Sequence, residues 1–123
     1  MTLGSFSISL AVKDIRASKE FYETLGFTET GGNIDQGWLV LRQGETVIGL
    51  FQGMFEKNMM TFNPGWNQQA EAVGEFEDVR VLQARLKDAG LEVGEPIDPN
   101  SEGPAHFTLT DPDGNPILID QHV

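Results

Sequence analysis

The chain has 123 residues, no cysteine, and a net charge of −11 from 8 basic and 19 acidic side chains. The lack of cysteine excludes disulfides, thiolate catalysis and zinc–thiolate sites, and suits a reducing, cytoplasmic setting. The acidic balance argues against nucleic acid and anionic membrane as partners, since both need a basic footprint, and no run of about 18 apolar residues predicts a membrane span.

Along the chain, Phe6, Ile8, Leu10 and Val12 alternate with Ser5, Ser7, Ser9 and Ala11, the period of a half-buried strand. This opening segment has no basic start, so no signal peptide is expected. Asp14 is a natural N-cap for a helix carrying Ile15, Ser18, Phe21, Tyr22 and Leu25 at helical spacing, and Gly26 is placed to end it. Gly31-Gly32-Asn33 reads as a loop without phosphate-loop spacing. Strands are expected over 37–42 and 46–52, joined by the turn Gln43-Gly44-Glu45. Residues 56–68, rich in Asn, Met and Gly, read as a linker. A second strand (70–76), a helix (78–89), a short strand at Glu92-Val93 and strands over 106–110 and 116–121 complete the pattern. Asp111-Pro112-Asp113-Gly114-Asn115 is a strong turn signal before the last strand.

The two halves repeat. Asp14 and Asp78 are 64 residues apart (78 − 14), and so are Gly26 and Gly90 (90 − 26). An equal offset at both ends of two helices points to a duplicated supersecondary unit, with residues 1–55 and 69–123 as the copies. Strand, helix, then strands, twice over, predicts an α+β chain with helices on one sheet face only.

Leu10-Ala11-Val12-Lys13-Asp14-Ile15 with Phe21-Tyr22 and Leu25-Gly26-Phe27, together with Phe107-Thr108-Leu109-Thr110 leading into the Asp-Pro-Asp-Gly-Asn turn, resembles the vicinal oxygen chelate superfamily. That superfamily includes glyoxalase I, extradiol dioxygenases, fosfomycin-resistance enzymes and bleomycin-resistance proteins. The resemblance implies two paired βαβββ modules forming a curved, partly open barrel-like cleft, often in a homodimer. It also implies four metal ligands, usually His or Glu, from the first and last strand of each module.

Carried onto this chain, those positions fall on Ser7, Gly49, Glu71 and Leu118, with Glu71 set by the repeat offset (71 − 7 = 64). Glycine and leucine cannot coordinate a metal, neutral serine is a poor ligand, and one carboxylate cannot hold a catalytic ion alone. No metal and no other cofactor is therefore expected. The expectation is a metal-independent small-molecule binding protein that sequesters its ligand. The alternative is a glyoxalase-type, lactoylglutathione lyase-like enzyme with a non-standard metal site. A regulatory or assembly module is a third reading.

The expected ligand-binding residues are Ser7, Ser9, Trp38, Val40, Arg42, Gly49, Trp66, Glu71, His106, Thr108 and Leu118. Trp38 and Trp66 could stack on an aromatic or cationic small molecule, or serve as core and linker anchor. Gly49 should leave open volume, and Glu71 should meet a cation. His122, next to the terminus, reads as solvated or frayed. No residue is expected to be catalytic: there is no Gly-x-Ser-x-Gly elbow, and carboxylate pairing alone does not mark an acid–base site.

Overall fold

A computed structural model describes all of residues 1–123. Seven strands and two helices give the α+β class. They are β1 (Ser5–Val12), α1 (Ile15–Thr24), β2 (Thr28–Asn33), β3 (Trp38–Gln43), β4 (Thr46–Gln52), β5 (Met59–Asn63), α2 (Val79–Asp88), β6 (Ala105–Thr110) and β7 (Pro116–Gln121). The chain divides into two compact units, Ser7–Met59 and Met1–Phe6 with Met60–Val123. No helix is long and apolar enough to cross a membrane.

In the first unit the strand order is β2-β3-β4-β1, with β1 parallel to β4 and the other pairs antiparallel. Ile8, Leu10 and Val12 of β1, Leu39 and Leu41 of β3, and Ile48 and Leu50 of β4 all turn to the side on which Ile15 and Tyr22 of α1 pack. Leu41 and Leu50 are fully buried, and truncating either to Ala would cost about 2–5 kcal/mol.

α1 begins where the sequence indicates. The Asp14 carboxylate accepts the Arg16 and Ala17 N–H groups at 3.1 and 3.2 Å. It ends in a Schellman motif, in which the Gly26 N–H reaches the Glu23 carbonyl and the Phe27 N–H that of Tyr22. α2 is built the same way: Asp78 caps the Arg80 N–H at 2.9 Å, and the Gly90 and Leu91 N–H groups close on Lys87 and Leu86. The two helices begin and end 64 residues apart (79 − 15 and 88 − 24). The repeat therefore holds for the helices down to their caps.

In the second unit the order is β5-β7-β6, with β5 parallel to β7 and β6 antiparallel to it. Phe62, Phe107, Leu109, Ile117 and Ile119 pack with Val79, Leu82 and Leu86 of α2.

Four segments differ from expectation. Residues 28–33 form an edge strand, with a bulge between Glu29 and Gly31, because hydrogen bonding to β3 rather than apolar alternation recruits them. Gly32 is required there: at φ +97° a Cβ would lie 2.6 Å from the Trp38 carbonyl oxygen. Residues 56–68, expected as a linker, contain β5. Residues 70–76, expected as a strand, form none and make only an isolated bridge between Trp66 and Ala72. Glu92-Val93 is also not a strand; buried Gln83 holds that segment instead, donating to the Val93 and Glu95 carbonyls and accepting the Ile97 N–H. The Asp111–Asn115 turn forms as expected, with Asp111 accepting both the Asp113 and Asn115 N–H groups.

Candidate functional site

Because side chains alternate along a strand, packing Ile8, Leu39 and Ile48 against α1 turns their neighbours to the helix-free face. The register sets those neighbours in three rows across the first unit. Thr28, Arg42 and Val47 share one row, with Ser7 preceding Ile8 on β1; Gly31, Val40, Gly49 and Ser9 share the next; Asn33, Trp38, Phe51 and Ala11 share the third. Trp38 and Val40 lie outside the core cluster. The sequence-predicted residues Ser7, Ser9, Trp38, Val40, Arg42 and Gly49 are thus brought onto one surface.

Two details of that surface differ from expectation. Ser9 is only 4 % exposed. Gly49 does not leave open volume, because the Phe51 ring lies over it: a Cβ on Gly49 would sit 2.6 Å from Phe51 Cε2. Phe51 also contacts Phe55, with ring centroids 5.3 Å apart. The space freed by removing a side chain from position 49 is occupied by a neighbouring aromatic on the same strand.

In the second unit the same alternation turns Thr61, Leu118 and Thr108 to the helix-free face in one row, and Asp120 and His106 in the next. His122 continues β7 on that side, and it is neither frayed nor free. Its imidazole stacks on the Trp66 indole at 4.4 Å between centroids and 9° between planes, and Nε2 lies 3.2 Å from Asp120 Oδ2. The hydrogen bond to Asp120 raises the His122 pKa above its ordinary value of 6.5, partial burial opposes the rise, and the Asp120 charge adds to it. Sequence reasoning missed this cluster. The available signal was the alternation of Leu118, Asp120 and His122 on one strand face.

Trp66 also borders a cavity of about 570 Å3 in this unit, with Pro64, Phe76, Glu75 and Glu77 among its walls. Glu77 is engaged by the Thr2 N–H and by Arg85.

Glu71 is not on the opening strand. It is exposed in a turn where the Asn67 carboxamide donates to it at 3.0 Å, because the 64-residue offset of the helices does not extend to the strands. The register gives the true counterpart of Ser7. Ser9 pairs with Gly49 as Thr61 pairs with Leu118, so two residues earlier Ser7 corresponds to Met59. The four positions at which the resemblance implies metal ligands therefore carry a hydroxyl, a hydrogen, a thioether and an isobutyl group. No three His, Asp or Glu side chains elsewhere converge closely enough to hold an ion. This donor set does not fit a catalytic divalent metal.

The fold has clear relatives. A chain from Vibrio splendidus described as a glyoxalase/bleomycin resistance protein/dioxygenase superfamily member superposes with a TM-score of 0.64 at 17% identity, covering 94% of this chain and 97% of that one. The NAD-dependent benzaldehyde dehydrogenase of Legionella pneumophila gives 0.70 at 16% identity, covering 96% and 99%. Homoprotocatechuate 2,3-dioxygenase of Brevibacterium fuscum gives 0.55 at 17% identity, covering 95% of this chain but 32% of its own. At these identities the likeness establishes the fold alone. Among curated proteins there is no match. A sequence model of one family matches residues 4–119, nearly the whole length, and the chain belongs to the Glyoxalase/Bleomycin resistance protein/Dioxygenase superfamily.

Proposed function

We propose that this chain is a small-molecule binding protein that works without a metal and sequesters its ligand rather than transforming it. The observation that carries this reading is the set Ser7, Gly49, Met59 and Leu118 at the positions where the resemblance implies metal ligands. None of the four supplies the imidazole or carboxylate that such chemistry needs. In the first unit the residues proposed to meet a ligand are Ser7, Trp38, Val40, Arg42 and Gly49, with Ser9 as floor; the second unit offers a set of its own in Trp66, His106, Thr108 and Leu118. Each set combines apolar side chains with polar groups that can fix a ligand's orientation, as small-molecule sites do. Glu71 drops out of this set, and with it the main support for a cationic ligand. An NMR screen of aromatic and aliphatic small molecules in excess chelator tests the proposal. Shifts confined to these residues support it, and binding that appears only when a divalent metal is added contradicts it.

We also propose a two-fold homodimer. Phe21 and Leu25, one turn apart on and just after α1, are 61% and 54% exposed, an apolar pair that a second copy would cover. Sedimentation at tens of micromolar should give twice the 13.5 kDa of one chain. A monomer at that concentration contradicts the assembly.

A further inference from the structure

The chain carries 8 cationic side chains against 19 acidic ones, so a partner for every cation is in ample supply. Four cations are paired: Arg16 with Asp35, Lys19 with Glu23, Arg80 with Asp78 and Arg85 with Glu77. Of the rest, Lys13, Lys57 and Lys87 are exposed lysines, whose ammonium groups water serves well. Arg42 is different. It is half-buried on the helix-free face of the first unit, flanked by Val47 and Thr28, and neither a carboxylate, a carbonyl nor a ring in the chain engages its guanidinium.

Three acidic groups of the same unit are turned or engaged elsewhere. Glu29 is registered opposite Leu41 on the α1 side, where Glu23, chiefly through its hydrogen bond, and more weakly Glu29 raise the pKa of Lys19. Asp35 is held by Arg16. No residue in the three rows of the helix-free face is acidic, so Arg42 is the one charge among their hydroxyl, carboxamide and apolar groups.

The Arg42 guanidinium has no protein partner and its nitrogens reach solvent, so it is free to receive a ligand, and its planar fork matches a carboxylate bidentately. We propose that the ligand is an amphipathic carboxylate, with its anion on Arg42 and its apolar body along Val40 and Trp38. This rests on the small-molecule reading above and gives it a ligand class. A protein of net charge −11 repels anions at long range, so any preference for one must arise locally, and Arg42 is the local source.

Matched probes test it: benzoate, 2-naphthoate and decanoate, each beside its alcohol and its amine, titrated by NMR into the full chain and into Arg42→Gln and Arg42→Lys. The carboxylate of at least one scaffold should bind more tightly than its alcohol and amine. Arg42→Gln should weaken that carboxylate roughly ten- to hundred-fold while leaving the alcohol nearly unchanged, the size of a charged hydrogen bond. Arg42→Lys should fall between, since the charge stays and the fork is lost. It also serves as the readout if Arg42→Gln does not fold. Equal binding of the three head groups, or a carboxylate affinity indifferent to Arg42, overturns the anion assignment while the binding function stands. No binding by any scaffold with any head group overturns the binding reading and this proposal with it.

Discussion

The side chain of Gln121 accepts the N–H of Val79 at 2.8 Å. Val79 is the first residue of α2 and Gln121 the last of β7, so one buried carboxamide fastens the helix start to the end of the closing strand of its unit. The same side chain donates to Asp78, Gly103 and Val123, which accounts for a glutamine only 2 % exposed. The other unit repeats the device: Gln52, the last residue of β4, accepts the N–H of Ile15, the first of α1, also at 2.8 Å.

These two bonds should differ in worth. Gln121→Leu leaves the buried Val79 N–H without a partner and strips a donor from Asp78, so it should cost about 2 kcal/mol or more of stability. Gln52 is exposed and water can replace it, so Gln52→Ala should cost about 1 kcal/mol or less. Urea unfolding of both variants checks the ranking. Equal losses would mean that Gln121 is not the anchor described.

The His122–Asp120 contact predicts a pH effect of definite sign. Because Asp120 raises the folded-state pKa of His122 above 6.5, its contribution to stability is complete below pH 6.5 and is lost as pH rises through the higher folded value. NMR titration should place the His122 midpoint above 6.5, and Asp120→Asn should lower it. An unshifted midpoint, or one insensitive to Asp120→Asn, contradicts the pairing.

Trp38 lies on the helix-free face and outside the core cluster. Trp38→Ala should therefore weaken an aromatic ligand by roughly 1–3 kcal/mol through lost stacking and area. The fold should change little, as read by thermal denaturation alongside the titration. Collapse of the fold with unchanged affinity per folded molecule would make Trp38 a core residue.

What was legible in the sequence follows from how local each signal is. Asp14, Gly26, Asp78 and Gly90 act within one helical turn, so the helices could be placed from spacing alone, and the Asp111–Asn115 turn likewise closes on itself. β2 could not be read, because Thr28-Glu29-Thr30-Gly31-Gly32-Asn33 has no apolar face and owes its form to pairing with β3. Carrying the helix offset onto the strands produced the error at Glu71. Inserted residues between β5 and α2 break the offset, and only the pairing of Thr61 with Leu118 reveals Met59 as the counterpart of Ser7. Alternation alone turned Trp38, Val40 and Arg42 to the helix-free face. The Phe51 ring over Gly49 and the Trp66–His122 stack depend on side-chain conformation, to which strand periodicity is blind.

The central claim, that this member of the superfamily binds without metal, is tested most directly by elemental mass spectrometry. The purified protein would be incubated in turn with nickel, zinc, manganese and ferrous iron, then dialysed without chelator. With Ser7, Gly49, Met59 and Leu118 at the expected ligand positions, retention of each metal should be far below one per chain, and removing traces with chelator should leave ligand affinity unchanged. One equivalent of any of these metals retained per chain, with ligand binding lost on its removal, would contradict the account.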